Sequence, residues 1–314
     1  MVLRPVVRPI DALEADRLED AIHRYTAKTR PLPGISDPDS ALAFLGQLIE
    51  SGHRRRYAER QSARLASARV LDASSGAFDP IMAAVRESKL GNFDNACWLV
   101  FLSVHFGRPR QTQWSLVSEF YSKLGQSGVW DWRAVQSDVG AVRTWLVSNN
   151  AELHTRGGKF GNHRKYESLN GVSAGGTGEV IESYVDWVGG THQHRFASIV
   201  GPTSARKAAF GLLYESMQAV ARFGRTARFD YLTMLGKLAL LDIEPDKAYF
   251  ESKAGPTKGA KLLFSGSADA SISNKDLEVW TAQLCAELRL TFDVLEDALC
   301  NWQKSPSKFT SFRG

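Results

Sequence analysis

At 314 residues, 43% hydrophobic and 23% charged, the chain has an ordinary soluble globular composition, with room for one large domain or two smaller ones. Its formal charge of +5 and pI near 9.1 favour a polyanionic partner only where the positive residues cluster. Cys97, Cys285 and Cys300 lack CxxC spacing and read as buried free thiols; the longest apolar run, Ala96 to Val104, is far short of the ~20 residues of a membrane span, and the start has Arg4 and Arg8 but no apolar signal core, so a cytoplasmic protein with no membrane partner is expected.

Helical periodicity dominates. Asp11 and Glu14 form a candidate capping box for a first helix whose apolar stripe is Leu18, Ile22 and Tyr25. A second helix begins at Asp37 with Pro38 in its first turn. Its tail carries Arg54, Arg55, Arg56, Arg60, Arg64 and Arg69, a basic cluster that fits either a phosphate track or an ordinary solvated face. Ser74 to Gly76 then breaks the pattern. Two regions are expected: an N-terminal helical region with a basic helix, residues 1–75, and a main catalytic domain, residues 76–314.

From Asp79 and Pro80 a short helix leads to Gly91, and the next, Asn92 to His105, is apolar nearly all round and belongs at the centre of a core. Further helices are expected at 113–124, 132–152 and 178–187. His192 and His194 follow, but HxH without a third ligand at recognisable spacing assigns no metal. Thr203 to Phe223 reads as one long helix, and after Gly224 a helical register puts Asp230, Thr233 and Lys237 on one stripe of an otherwise apolar helix. The turn at Gly255 to Gly259 opens a Leu-rich helix, as helix-hairpin-helix elements do when they aim backbone N–H groups at a DNA phosphate. From Ser273 onward one apolar stripe, Leu277 to Trp302, closes the core. The chain shows no run of alternating strands and no GxxxxGK[ST] loop, which argues against a standard NTPase.

The stretch from Thr155 to Thr177 is the candidate site. Arg156, Lys159, His163, Arg164 and Lys165 suit phosphate, Phe160 and Tyr166 offer faces on which a base stacks, and the glycines permit close backbone approach. Arg225, Arg228 and Lys258 extend the set of phosphate or DNA contacts.

Three segments, Phe160 to Ser168, Phe223 to Gly236 and LEDALCNWQKSP at Leu295 to Pro306, resemble the α-glutamyl/putrescinyl thymine pyrophosphorylase family. The resemblance implies an all-α, multi-helix globular fold like that of helix-hairpin-helix DNA glycosylases. It also implies a transferase acting on DNA, in which a small amine donor, an amino acid or a polyamine such as putrescine, displaces pyrophosphate from a pyrophosphorylated 5-hydroxymethyluracil. No cofactor is identified. For that chemistry Arg156, Lys159, Arg164 and Lys165 are the cations for the leaving pyrophosphate, and Asp230 or Glu167 is the base for the amine. Phe160 and Tyr166 would assist a flipped base. Two other readings stand beside this one: a non-catalytic helical DNA-binding protein of a modification or defence system, and a DNA N-glycosylase using Asp230.

Overall fold

Polar caps such as Asp79, Asp138 and Ser273, and left-handed stops such as Gly189, Gly266 and Arg289, set several of the helix boundaries. The computed structural model describes residues 7–202, 205–252 and 254–311, and among them there are fourteen α-helices and no strand. In chain order they are α1 (Ala12–Lys28), α2 (Pro38–Ser62), α3 (Pro80–Lys89), α4 (Phe93–Phe106), α5 (Ser115–Tyr121), α6 (Trp132–Ser137) and α7 (Val139–Gly157). Then come α8 (Thr177–Val188), α9 (His192–Val200), α10 (Arg206–Ser216), α11 (Arg225–Lys237), α12 (Gly255–Ser265), α13 (Asn274–Leu288) and α14 (Phe292–Trp302). The all-α expectation holds.

Several boundaries differ from the sequence pattern, each for a local reason. Asp138 accepts from the Ala141 N–H and starts a new helix, so the expected 132–152 segment is two helices, and the second runs on to Gly157. The last apolar stripe is also split, because Arg289 turns left-handed at φ 51° and Thr291 is extended before α14. The Asp11–Glu14 capping box does not form: Asp11 binds Arg8 and His53, and Glu14 binds Arg17. Thr203, the expected start of a long helix, lies outside the described residues; α10 is followed by a single 3-10 turn at Met217–Ala219.

The chain divides into two compact units, one of residues 1–57 with 245–313 and one of residues 58–244. The boundary expected near residue 75 therefore falls inside the second unit. In the first, Phe44 and Trp302 meet edge to face at 5.2 Å within a core shared by α1, α2 and α12 to α14. Gly259 lets α12 lie directly on α14, since a Cβ there would run into the Leu299 carbonyl. Arg54 and Arg55 of the basic cluster are held by Asp297 at 2.7 Å and Asp293 at 2.6 Å.

In the second unit α4 is the central rod. Trp98, Phe101 and Phe106 are fully buried, and Phe101 stacks on Tyr184 of α8 at 3.7 Å. Rings of this size remove roughly 150–250 Å² each from water, about 4–6 kcal/mol apiece. α4 stops at Gly107, whose φ of +69° only glycine adopts freely. There the chain meets the 158–176 loop: a Cβ on Gly161 would sit 2.7 Å from the Arg108 nitrogen and 2.8 Å from the Gly107 Cα. Gly161→Ala is therefore expected to lower the urea unfolding midpoint by the equivalent of about 1–3 kcal/mol. An unchanged midpoint would mean that the loop is not seated on the end of α4. No helix among the described residues is long and apolar enough to cross a membrane.

Candidate active site

The loop after α7 is folded on itself. The Gly161 N–H donates to the Phe106 carbonyl at 2.7 Å, the Thr177 N–H to Ser168 at 2.8 Å and the Gly178 N–H to Asn170 at 3.1 Å. Phe160 is 8% exposed, packed against Phe106 at 5.6 Å and His105 at 5.7 Å, so its ring anchors the loop and presents no face to a base. Tyr166 is the opposite case. It is 80% exposed, with the Lys165 ammonium 4.9 Å from its ring.

Beneath the loop lies Arg164, buried at 7% exposure. Its guanidinium donates to the carbonyls of His105 and Arg222, each at 3.2 Å, and stands 5.5 Å from the Phe223 ring. The hydrogen bonds fix the His105 tautomer. The Thr177 hydroxyl spends its one proton on the Ser168 carbonyl at 2.8 Å, so at 3.0 Å it accepts from His105 Nε2. His105 Nδ1 is then a lone pair facing Arg164 Nη2 at 3.4 Å. Burial, reinforced by the Arg164 charge, pushes the His105 pKa well down and keeps the ring neutral.

Two carboxylates and a second arginine complete the cluster. Glu167 reaches Arg164 at 3.7 Å with one oxygen and Arg222 at 3.5 Å with the other. Burial lowers the Arg164 pKa and the Arg222 charge adds to that, while Glu167 and Asp230 act against it. Asp230, on α11, is exposed. The side chain of Arg222 is 46% exposed, its backbone is left-handed at φ 57°, and its Cδ would lie 3.3 Å from a Cβ on Gly175.

Of the residues singled out in the sequence, Arg164 and Glu167 come together here, and Asp230 is near enough for its charge to act on Arg164. Lys159, His163 and Lys165 lie on the exposed side of the same loop. Arg156 belongs to α7, where it binds Glu119 at 2.7 Å and the Leu124 carbonyl at 2.9 Å, so it braces that helix end. Arg225 is buried with its guanidinium 4.8 Å from the Phe229 ring, and Arg228 lies over Tyr214 at 4.3 Å while donating to the Tyr214 carbonyl. Lys258 is exposed on α12, in the other unit. Sequence reasoning passed over Arg222, Thr177 and the positioning role of His105. The only signal was the glycine pair Gly175–Gly176, of which Gly175 lies against the Arg222 side chain and Gly176 against the Asn170 carbonyl.

A second polar chain crosses the core of this unit. Asp94 accepts from the His192 backbone N–H at 2.6 Å and from its Nδ1–H at 2.8 Å. His192 Nε2 therefore accepts from the Tyr184 hydroxyl at 2.7 Å, and Tyr184 accepts from Tyr231 at 2.8 Å. His192 is fully buried whereas His194 is exposed, and among the described residues no group of three or more His, Cys, Asp or Glu side chains is arranged to hold a metal.

Burial lowers the His192 pKa below its ordinary 6.5, although Asp94 opposes this. At Asp94, burial raises the pKa but the bonds from His192 outweigh it and hold the carboxyl below its usual range. Below about pH 6.5 the unfolded chain binds more protons at His105 and His192 than the native one does. Their stabilisation is thus complete above that pH and is lost as the pH falls through it; the Asp94 contribution is lost at lower pH still. The urea midpoint is expected to drop between pH 7 and pH 5, and His192→Gln to lower the midpoint at pH 7 yet flatten the drop. An equally steep drop in the variant would remove His192 from this linkage.

Fold and site together define an all-α protein whose glycine-rich loop holds a buried arginine paired with the Glu167 carboxylate. The chain belongs to the alpha-glutamyl/putrescinyl thymine pyrophosphorylase family, clade 3, whose model matches residues 40–314. The resemblance drawn from the three segments thus holds and extends further toward the N-terminus. Membership implies a pyrophosphorylase-type function in thymine hypermodification, with DNA as the substrate. No match was found among the curated proteins or among the solved structures.

Proposed function

We propose that this protein is a DNA base-modifying transferase: an amine, an amino acid or a polyamine, displaces pyrophosphate from a pyrophosphorylated 5-hydroxymethyluracil. The nitrogen attacks the methylene carbon attached to C5 of the base. A C–N bond forms, the C–O bond to pyrophosphate breaks with its electron pair, and one proton leaves the new ammonium.

What supports this reading is the pairing of Glu167 with Arg164 and Arg222, with the charge of Asp230 acting on Arg164, in a chain of this family. We assign the roles as follows. Glu167 has a guanidinium at each oxygen and serves to orient Arg222. Asp230 is the exposed carboxylate of the cluster and takes the amine proton. Arg222, Lys159 and Lys165 carry the positive charge that meets the leaving pyrophosphate, with Arg164 fixing the backbone beneath them. Tyr166 supplies the face for an extruded base. The relation to helix-hairpin-helix glycosylases belongs to the same proposal, with exposed Lys258 in the first turn of α12 as a further phosphate contact.

The test is a duplex carrying the pyrophosphorylated base, incubated with a labelled amine. Label retained in the DNA with equimolar pyrophosphate release is the expected result. Abasic sites formed without amine would replace the reading by an N-glycosylase, and DNA binding with neither product by an accessory binding protein. Mass spectrometry of host nucleosides, with and without the gene, identifies the donor.

A further inference from the structure

A groove of about 820 Å³ lies against the N-terminal half of α7. It is distinct from the loop site: Asn149, the wall residue nearest the loop along α7, and Gly157, where the helix gives way to the loop, are eight residues apart, about 12 Å at 1.5 Å per residue. Trp130 and Trp145 stand edge to face at 6.1 Å in its wall. The Lys123 ammonium lies 4.0 Å over the Trp130 ring. The amides form a ring of bonds: the Trp145 indole N–H donates to Gln126 at 3.0 Å, Gln126 to Asn149 at 3.3 Å, and Asn149 to the Trp145 carbonyl at 2.9 Å. Each amide keeps a second N–H for a ligand.

The turn that holds Lys123 is costly. Lys123, Leu124 and Gly125 are successively left-handed, at φ 54°, 60° and 78°, a region in which the Cβ of a non-glycine residue is crowded. The turn is held by burial of Leu124 and by the bond from Arg156 to its carbonyl. The outcome is a cation set over an indole beside amide donors and a partly exposed Trp145. Asp138, the one carboxylate in the wall, is engaged in capping α7 at 2.8 Å.

We propose that this groove binds one nucleotide of single-stranded DNA, the base stacked on Trp145 with its carbonyl edge toward Gln126 and Asn149, and the phosphate on Lys123. Lys123 sets this against a cationic amine, and the indole against a bare anion. The inference rests on the DNA reading above and adds a second point of contact in the same unit.

Fluorescence anisotropy with labelled single-stranded oligothymidylates of three and ten nucleotides tests it. The wild type is expected to bind the ten-mer at least about 10-fold more tightly than the three-mer. Lys123→Asn keeps a residue that tolerates the left-handed turn while removing the cation. That variant and Trp145→Ala are expected to lose most of the length-dependent gain and to bind the three-mer as the wild type does. Variants with wild-type unfolding midpoints that keep the gain would overturn the groove and leave the DNA reading standing. A wild type that binds neither oligomer but transfers amine to the modified duplex would overturn the groove alone, and one that does neither would overturn both.

Discussion

Asp230→Asn is expected to cut amine transfer by about 10²- to 10⁴-fold, the range a positioned base contributes, while DNA affinity stays equal or rises slightly as a negative charge leaves the site. The asymmetry matters because a structural role would move both quantities together. Asp230 is exposed near the start of α11, whose packing side chains are Tyr231, Leu232 and Leu235, so the substitution leaves the core intact. Steady-state turnover at saturating DNA, with anisotropy for binding, checks it. Retained turnover would return the role to Glu167, despite its two guanidinium partners.

The second large effect is on stability. Arg164→Ala strips the donors from two backbone carbonyls and a counter-charge from Glu167, a loss of about 3–5 kcal/mol for a broken buried charge network. For a unit of this size that is a fall of roughly 6–20 °C in Tm. Arg164→Lys restores one charged donor but not the fork, and an intermediate fall is expected. Equal midpoints for wild type and Arg164→Ala would show that the loop is held by its glycine contacts alone.

The helices were legible because their apolar periodicity and acidic caps are local: Asp79 before Pro80 marks α3 without any tertiary knowledge. Asp138 and Arg289 were not, because an apolar stripe continues in register across a break and only the backbone angles reveal it. The loop was legible as a candidate from its glycines and charges. Which of its residues face outward was not. Phe160 and Tyr166 are equivalent in the sequence and opposite in the structure, and Arg164 is buried although Lys165 beside it is exposed. The difference is made by α4, more than fifty residues earlier, whose end supplies His105 and Phe106 as partners. Arg222 was invisible for the same reason, since its ion pair with Glu167 spans 55 residues.

The first unit joins two stretches, 1–57 and 245–313, that the second unit separates in the sequence. Translation is directional, which gives this connectivity a kinetic consequence. The apolar faces of α1 and α2 emerge early, but α12 to α14, which complete their core, follow only after the 187 residues from 58 to 244 have been made. At about 5–20 residues per second that is a wait of roughly 10–40 s. During it the nascent protein carries an unfinished hydrophobic surface, and a chain halted before residue 245 keeps it for good. Chaperone dependence and aggregation of C-terminally truncated forms are thus written into the order of the helices.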